Sequence, residues 1–206
     1  MRTIRILLGV ALLSTGLLAG AFGYGVANLV PAFDSVPIGM RLDFHAQLMK
    51  TNGITMQTAM AVSAVSAFAL AAVARARVRA LAATAGLLTV ASFLITRFGN
   101  VSINGRIKQW AVTAPPADHA EILRRWELFN DARTCTAVVA FAVLIGIALR
   151  QAGGPSAGRR DGSGGGAGGV TLAAVALLAE PVDLGGVLAR LVAHGERSCQ
   201  GFANSV

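Results

Sequence analysis

Within residues 1–150, four long stretches contain no Asp, Glu, Lys or Arg: Ile6–Phe33, Thr51–Ala74, Ala80–Thr96 and Thr134–Leu149, of 28, 24, 17 and 16 residues. A helix that crosses a bilayer needs roughly 17–25 mainly apolar residues. The first two stretches reach that length unaided. The last two sit at its lower edge, where Arg79, Arg97, Arg133 and Arg150 can extend their charged heads toward the interfaces. Hydrocarbon makes the backbone satisfy its polar groups within helices and pushes charge to the rims. The pattern therefore predicts an all-α fold, a four-helix transmembrane bundle at residues 1–150, with an ordered extracytoplasmic cap built from residues 33–50 and 97–125.

Composition agrees. Charged residues make up 14% of the 206 and apolar ones 54%, whereas soluble domains carry about 25% charge. The net charge of +8 does not point to nucleic acid, because the cations gather at helix ends and aromatics are only 6%. Cys135 lies just inside the fourth apolar run and Cys199 in the tail, so no disulfide framework follows. The start, Met1-Arg2-Thr3-Ile4-Arg5, is that of a secretory signal, but the apolar run continues to Phe33. That exceeds a signal core of roughly 7–15 residues, so the segment is assigned as the first membrane helix.

Arg2, Arg5, Arg75, Arg77, Arg79, Arg150, Arg159 and Arg160 fall on one side of such a bundle. The other side holds Arg41, Lys50, Arg97, Arg106, Lys108, Arg124 and Arg125, offset by Asp34, Asp43, Asp118, Glu121 and Glu127. The short "RARVR" turn and the basic amino terminus place both termini in the cytoplasm of a multi-pass cell-membrane protein. Gly16, Gly20, Gly23 and Ala27 form a small-residue face on helix one, suited to close packing or to a homo-oligomer.

Breaks follow from proline and glycine. The two prolines of "VPAFDSVPIG" end helix one, and helix two is expected to begin near Pro37 with Asp34 or Ser35 as its cap. "MRLDFHAQLMKTNG" is expected at the outer interface, ahead of a span from Ile54. Pro115, Pro116, Asp118 and Glu121 announce helix four, which runs to Arg150. Residues 151–169 read as a flexible linker, since 153–169 hold 9 Gly. Residues 170–206 read as a short apolar tail, interfacial or loosely ordered, because ten residues between Val170 and Ala179 cannot span.

The connection "TRFGNVSINGRIKQWAVTAPPADHAEILRRWELFNDART" resembles the anthrone oxygenase-like family of small four-helix membrane proteins. The resemblance is carried by Ser102-Ile103-Asn104, Ile107-Lys108-Gln109-Trp110, Pro115-Pro116, Arg125-Trp126 and Arg133-Thr134. Upstream, "AGAFGYGVANLVPAF" and "FHAQLMKTN" extend it to about residues 1–150. Ser102, His119 and Asn130 depart from the family's pattern, which often has Pro, Trp and His there. The resemblance implies oxidation of an anthrone to an anthraquinone with O₂ and no organic cofactor. Such chemistry needs a base, a site for an enolate oxygen and a dry pocket.

Candidate residues follow. Trp126, Asn130, Arg133 and Ala137 share one face of helix four, where a guanidinium beside an amide and an indole can hold an anionic oxygen. His45, Met49, Asn52, Met56 and Met60 share a face of helix two, with His45 the candidate base near Asp43. Asn100, Asn104 and Trp110 are expected in an outer loop, as pocket walls or as that loop's own scaffold. Tyr24 and Asn28, one turn apart on helix one, are candidates for the same cavity or for interhelical hydrogen bonds. The catalytic set is His45, Arg133 and Asn104, and the substrate-binding set is Tyr24, Asn28, Trp110, Trp126 and Asn130. No cofactor and no metal is assigned; the expected partners are the lipid bilayer and an apolar aromatic small molecule. The alternative function is a non-catalytic membrane protein acting in assembly or interaction.

Overall fold

The computed structural model describes residues 2–152. The linker, the tail and Cys199 lie outside the described residues. Six α-helices form four rods: α1 (Arg2–Tyr24) and α2 (Val30–Asp34), α3 (Ile38–Val73), α4 (Ala76–Ile95) and α5 (Val101–Trp110), and α6 (His119–Ala152). Among the described residues there is no strand. All four rods are long and apolar enough to cross a membrane, and the chain is a multi-pass membrane protein. The rods alternate in direction. Each packs against two neighbours, α1 on α3 and α6, and α4 on α3 and α6. One end of the bundle, the base, carries the α3–α4 turn; the other, the crown, carries the remaining two connections.

Two rods are joined by π-helical turns, at Gly25–Leu29 and Thr96–Asn100, both toward the crown. The first explains how the rod passes Pro31, which was expected to end it. Pro31 has no N–H, and its ring clashes with the carbonyl a turn earlier in an ordinary helix. The wider turn, in which the Val30 N–H reaches the Gly25 carbonyl, relieves that crowding just before it. The chain breaks instead at Ser35–Pro37. Pro37 has extended backbone (φ −55°, ψ 145°) and α3 starts at the next residue, as predicted. Neither Asp34 nor Ser35 caps α3 through its side chain. Asp34 is engaged by Arg41, and the Ser35 hydroxyl donates to the Ala32 carbonyl.

Two other expectations are corrected. The segment Met40–Gly53 is continuous with the span from Ile54 as the crown end of α3, because Gly53 alone does not stop a helix this well packed. Asn100, Asn104 and Trp110 lie in helix rather than loop, since nothing between Ala76 and Trp110 forces an exit. At about 1.5 Å per residue, 34 to 36 residues extend some 50 Å, well beyond the roughly 30 Å hydrocarbon layer.

Packing near the base is alanine-rich: Ala11, Ala67, Ala71, Ala82, Ala85 and Ala140 interleave with Leu8, Leu70, Leu144 and Ile147. Small side chains bring helix backbones together, which replaces the hydrophobic drive that lipid does not supply. Polar ties run between helices, from the Ser14 hydroxyl to that of Ser66 at 3.3 Å and from the Ser92 hydroxyl to the Arg133 carbonyl at 3.1 Å. Outward, Leu13, Leu17, Ile54, Val65 and Leu87 remain exposed, as lipid-facing residues do. On the glycine face of α1, a Cβ added at Gly16 would meet the Phe141 ring, whereas one added at Gly20 or Gly23 would meet nothing within 4 Å.

Gly99 is the tightest contact. A Cβ there would lie 2.5 Å from Phe129 Cγ, the root of the ring rather than its movable tip. Gly99→Ala is expected to destabilise the bundle by about 1–3 kcal/mol through overpacking. Phe129→Ala, which removes the Cγ itself, should make the added cost of Gly99→Ala vanish in the double variant. Unfolding midpoints of the four proteins in detergent, read by helical circular dichroism, check the coupling.

Candidate functional site

The crown carries most of the polarity, and it is arranged around a buried imidazole. His45, on α3, is fully buried with both ring nitrogens lacking a partner among the described residues. Phe33 of α2 stacks on it at 5.2 Å between centroids and 11° between planes. Trp126 of α6 meets its other side edge-on at 4.7 Å and 67°. Such aromatic arrangements contribute about 0.5–1.5 kcal/mol beyond area burial.

Trp126 is held in turn from the third rod. Its indole N–H donates to Asn104 Oδ1 at 2.8 Å, and Asn100 Nδ2 donates to its backbone carbonyl at 3.0 Å. The π turn sets this up. Asn100 closes that turn fully buried, and Asn104 follows one helical turn later on the same side. One residue on α6 is thus fixed by two asparagines on the opposing rod.

Arg133, two turns further along α6, is held by Asn130. Its Nε and Nη2 both donate to Asn130 Oδ1, at 3.1 and 2.5 Å, and its guanidinium sits 4.4 Å from the centre of the Phe22 ring. No carboxylate pairs with it among the described residues. A guanidinium held by a neutral amide and a π-face keeps its charge available to an anion.

Trp126, Asn100, Asn104 and Arg133 border one cavity of about 50 Å³. Arg133, Asn104, Asn100, Thr96 and Trp126 form one wall, and Met49, Asn52, Met56 and Met60 of α3 form the other. A cavity of about 150 Å³ holds benzene, so this one fits O₂ or water as it stands. The thioether wall is unbranched and adaptable, which allows it to widen.

Of the sequence-predicted site residues, Arg133, Asn104 and Trp126 share this cavity, and Asn130 backs Arg133. His45 touches Trp126 but lies behind the lining. Trp110 sits apart, beneath Arg106 at 5.2 Å and among Leu42, Ile103 and Ile107. Tyr24 is 66% exposed and Asn28 is exposed, its Nδ2 donating to the Tyr24 carbonyl, so neither reaches the cavity. Asp43 borders a separate open groove with Lys50 and Lys108. Asn100, a candidate wall or scaffold residue by sequence, lines the cavity and also bonds the Trp126 carbonyl.

The sequence reading missed the tie above His45. Arg41 is 7% exposed; its Nη1 engages Asp34 and its Nη2 reaches Glu127 at 2.6 Å, while its guanidinium lies 5.7 Å from the Phe33 ring centre. It fastens α2, α3 and α6 over the imidazole.

Residues 46–143 match the model of the anthrone oxygenase family. The match is just under half the chain and includes every cavity-lining residue. No curated protein and no solved structure matches the chain.

The two arms of the Arg41 tie should differ in strength. The Glu127 side chain is 23% exposed and that of Asp34 53%. Arg41→Met strips a mostly buried carboxylate of its partner and is expected to cost roughly 3 kcal/mol. Asp34→Asn removes only a solvated arm, worth about 0–1 kcal/mol. Chemical unfolding in detergent, with the two variants side by side, checks that order.

Proposed function

We propose, on the premise that this is an anthrone oxygenase-like chain, that the crown cavity binds an apolar aromatic ketone and directs its oxidation by O₂. The observation that carries the reading is the meeting of an uncompensated Arg133, Asn104 and Trp126 on one cavity with a dry imidazole directly behind the indole.

The chemistry is a four-electron oxidation in which a ring methylene and O₂ become a ring carbonyl and water. A base takes one methylene proton, and the electron pair left behind delocalises onto the ketone oxygen. Arg133 and Asn104 stabilise that oxyanion in a site where little water competes, which strengthens each interaction. The enolate passes one electron to O₂, and the resulting pair joins to form a C–O bond. The peroxide oxygen is protonated. Loss of the second methylene proton then breaks the O–O bond, leaving the carbonyl and expelling hydroxide, which collects a proton to become water.

His45 is the assigned base. Its nitrogens have no competing partner among the described residues, and the Trp126–Asn104 wall has to move for a ligand to meet it. The methionine wall accommodates a fused ring system by repacking.

Oxygen uptake by the purified protein with anthrone tests the reading. Wild type is expected to turn over, Arg133→Gln to lose about 10²–10³-fold in kcat, and His45→Gln to lose about 10²–10⁴-fold. Tyr24→Phe, far from the cavity, should match wild type. No uptake by wild type, or uptake indifferent to Arg133→Gln, would leave the non-catalytic alternative standing.

A further inference from the structure

The base of the bundle differs from the crown in one respect that the cavity does not explain. Every Asp and Glu among residues 2–152 (Asp34, Asp43, Asp118, Glu121, Glu127 and Asp131) belongs to the crown half of its rod or to a crown connection. Among the described residues the base carries six arginines and no carboxylate: Arg2 and Arg5 on α1, Arg75, Arg77 and Arg79 at the α3–α4 turn, and Arg150 at the end of α6. All six are exposed, and none forms an ion pair among the described residues.

The turn makes this concentration of charge rigid. Only Ala74 and Arg75 separate α3 from α4, and Ala76 adopts a positive φ of 47° to make the corner. An alanine in that region is strained and persists only where its surroundings over-determine it. Arg79 helps, since its Nε donates to the Ala74 carbonyl across the turn at 3.0 Å. Three arginines are thereby held within five residues of a tight corner, where their charges repel one another unless an anion lies among them.

We infer that the base is a docking surface for anionic phospholipid headgroups, and that it faces the leaflet that carries them. The occupant follows from position and chemistry. The charge-free spans begin directly at these arginines, which puts them at headgroup depth. A guanidinium pairs with a phosphate in two parallel hydrogen bonds, and a rim of such groups gains attraction from each lipid it gathers. The crown, where cations and carboxylates mix, offers no comparable field.

The test compares the full chain in nanodiscs of phosphatidylcholine alone and of phosphatidylcholine mixed with phosphatidylglycerol. Wild type should unfold several degrees higher in the mixed discs, and high salt should erase the difference. Arg75→Gln with Arg77→Gln should lose most of the gain, whereas Arg124→Gln with Arg125→Gln at the crown should keep it. Glycerol phosphate added to phosphatidylcholine discs should not reproduce the shift. Equal midpoints in the two bilayers, equal losses in the two double variants, or full replacement by glycerol phosphate would each overturn the inference. Comparing lipids within wild type keeps the test valid should either double variant fold poorly.

Discussion

A backbone N–H or C=O surrounded by hydrocarbon has no partner except another backbone group, and this rule governs where everything else in the molecule sits. It turns the four apolar runs into helices. It also keeps almost every long polar side chain out of the central layer, where the described interior is Leu, Ala, Ile, Phe and Met, relieved by Ser and Thr that bond helix carbonyls. The rods overshoot the hydrocarbon, and the overshoot is where buried polarity becomes affordable. His45, Asn100, Asn104, Asn130, Arg41 and Arg133 are therefore not scattered; all occupy the crown half of the bundle.

Within the crown, stability and chemistry draw on the same contacts. Trp126 closes over His45, donates to Asn104, accepts from Asn100 and lines the cavity. The π turn at Thr96–Asn100 serves both purposes as well, since it carries the rod onward and delivers Asn100 to the α6 backbone. π turns inside α-helices are frequent at functional sites because they redirect side chains without ending the helix. Arg41 supplies the lid of this cluster and Arg133 its one uncompensated charge.

Much of the architecture is legible from composition along the chain. The charge-free runs located all four spans, and Pro37 marked the start of α3. Helix continuity was harder to read, because a glycine such as Gly53 or Gly99 costs only about 1 kcal/mol in a helix and packing outweighs it. At Pro31 the wider turn replaced the expected break. Periodicity placed Trp126, Asn130 and Arg133 on one face, and the structure keeps them together. It also placed Tyr24 beside Asn28, yet could not say which face of α1 turns inward; Leu18 and Phe22 claim that side, leaving Tyr24 outside. Pairings between distant residues, Arg41 with Glu127 at 86 positions or Trp126 with Asn104 at 22, leave no local trace in a single sequence.

An oxygenase cavity in the crown requires that an aromatic guest enter beside Trp126. A single-tryptophan protein, made by Trp110→Phe, can be titrated in detergent with an anthraquinone, the product-like ligand, while indole emission is followed. Saturable quenching of Trp126, with Trp110 unaffected in the reciprocal Trp126→Phe protein, is the predicted result. Quenching that rises linearly without saturation, or that is the same for either tryptophan, would mean the ligand partitions into micelles and the crown cavity binds nothing.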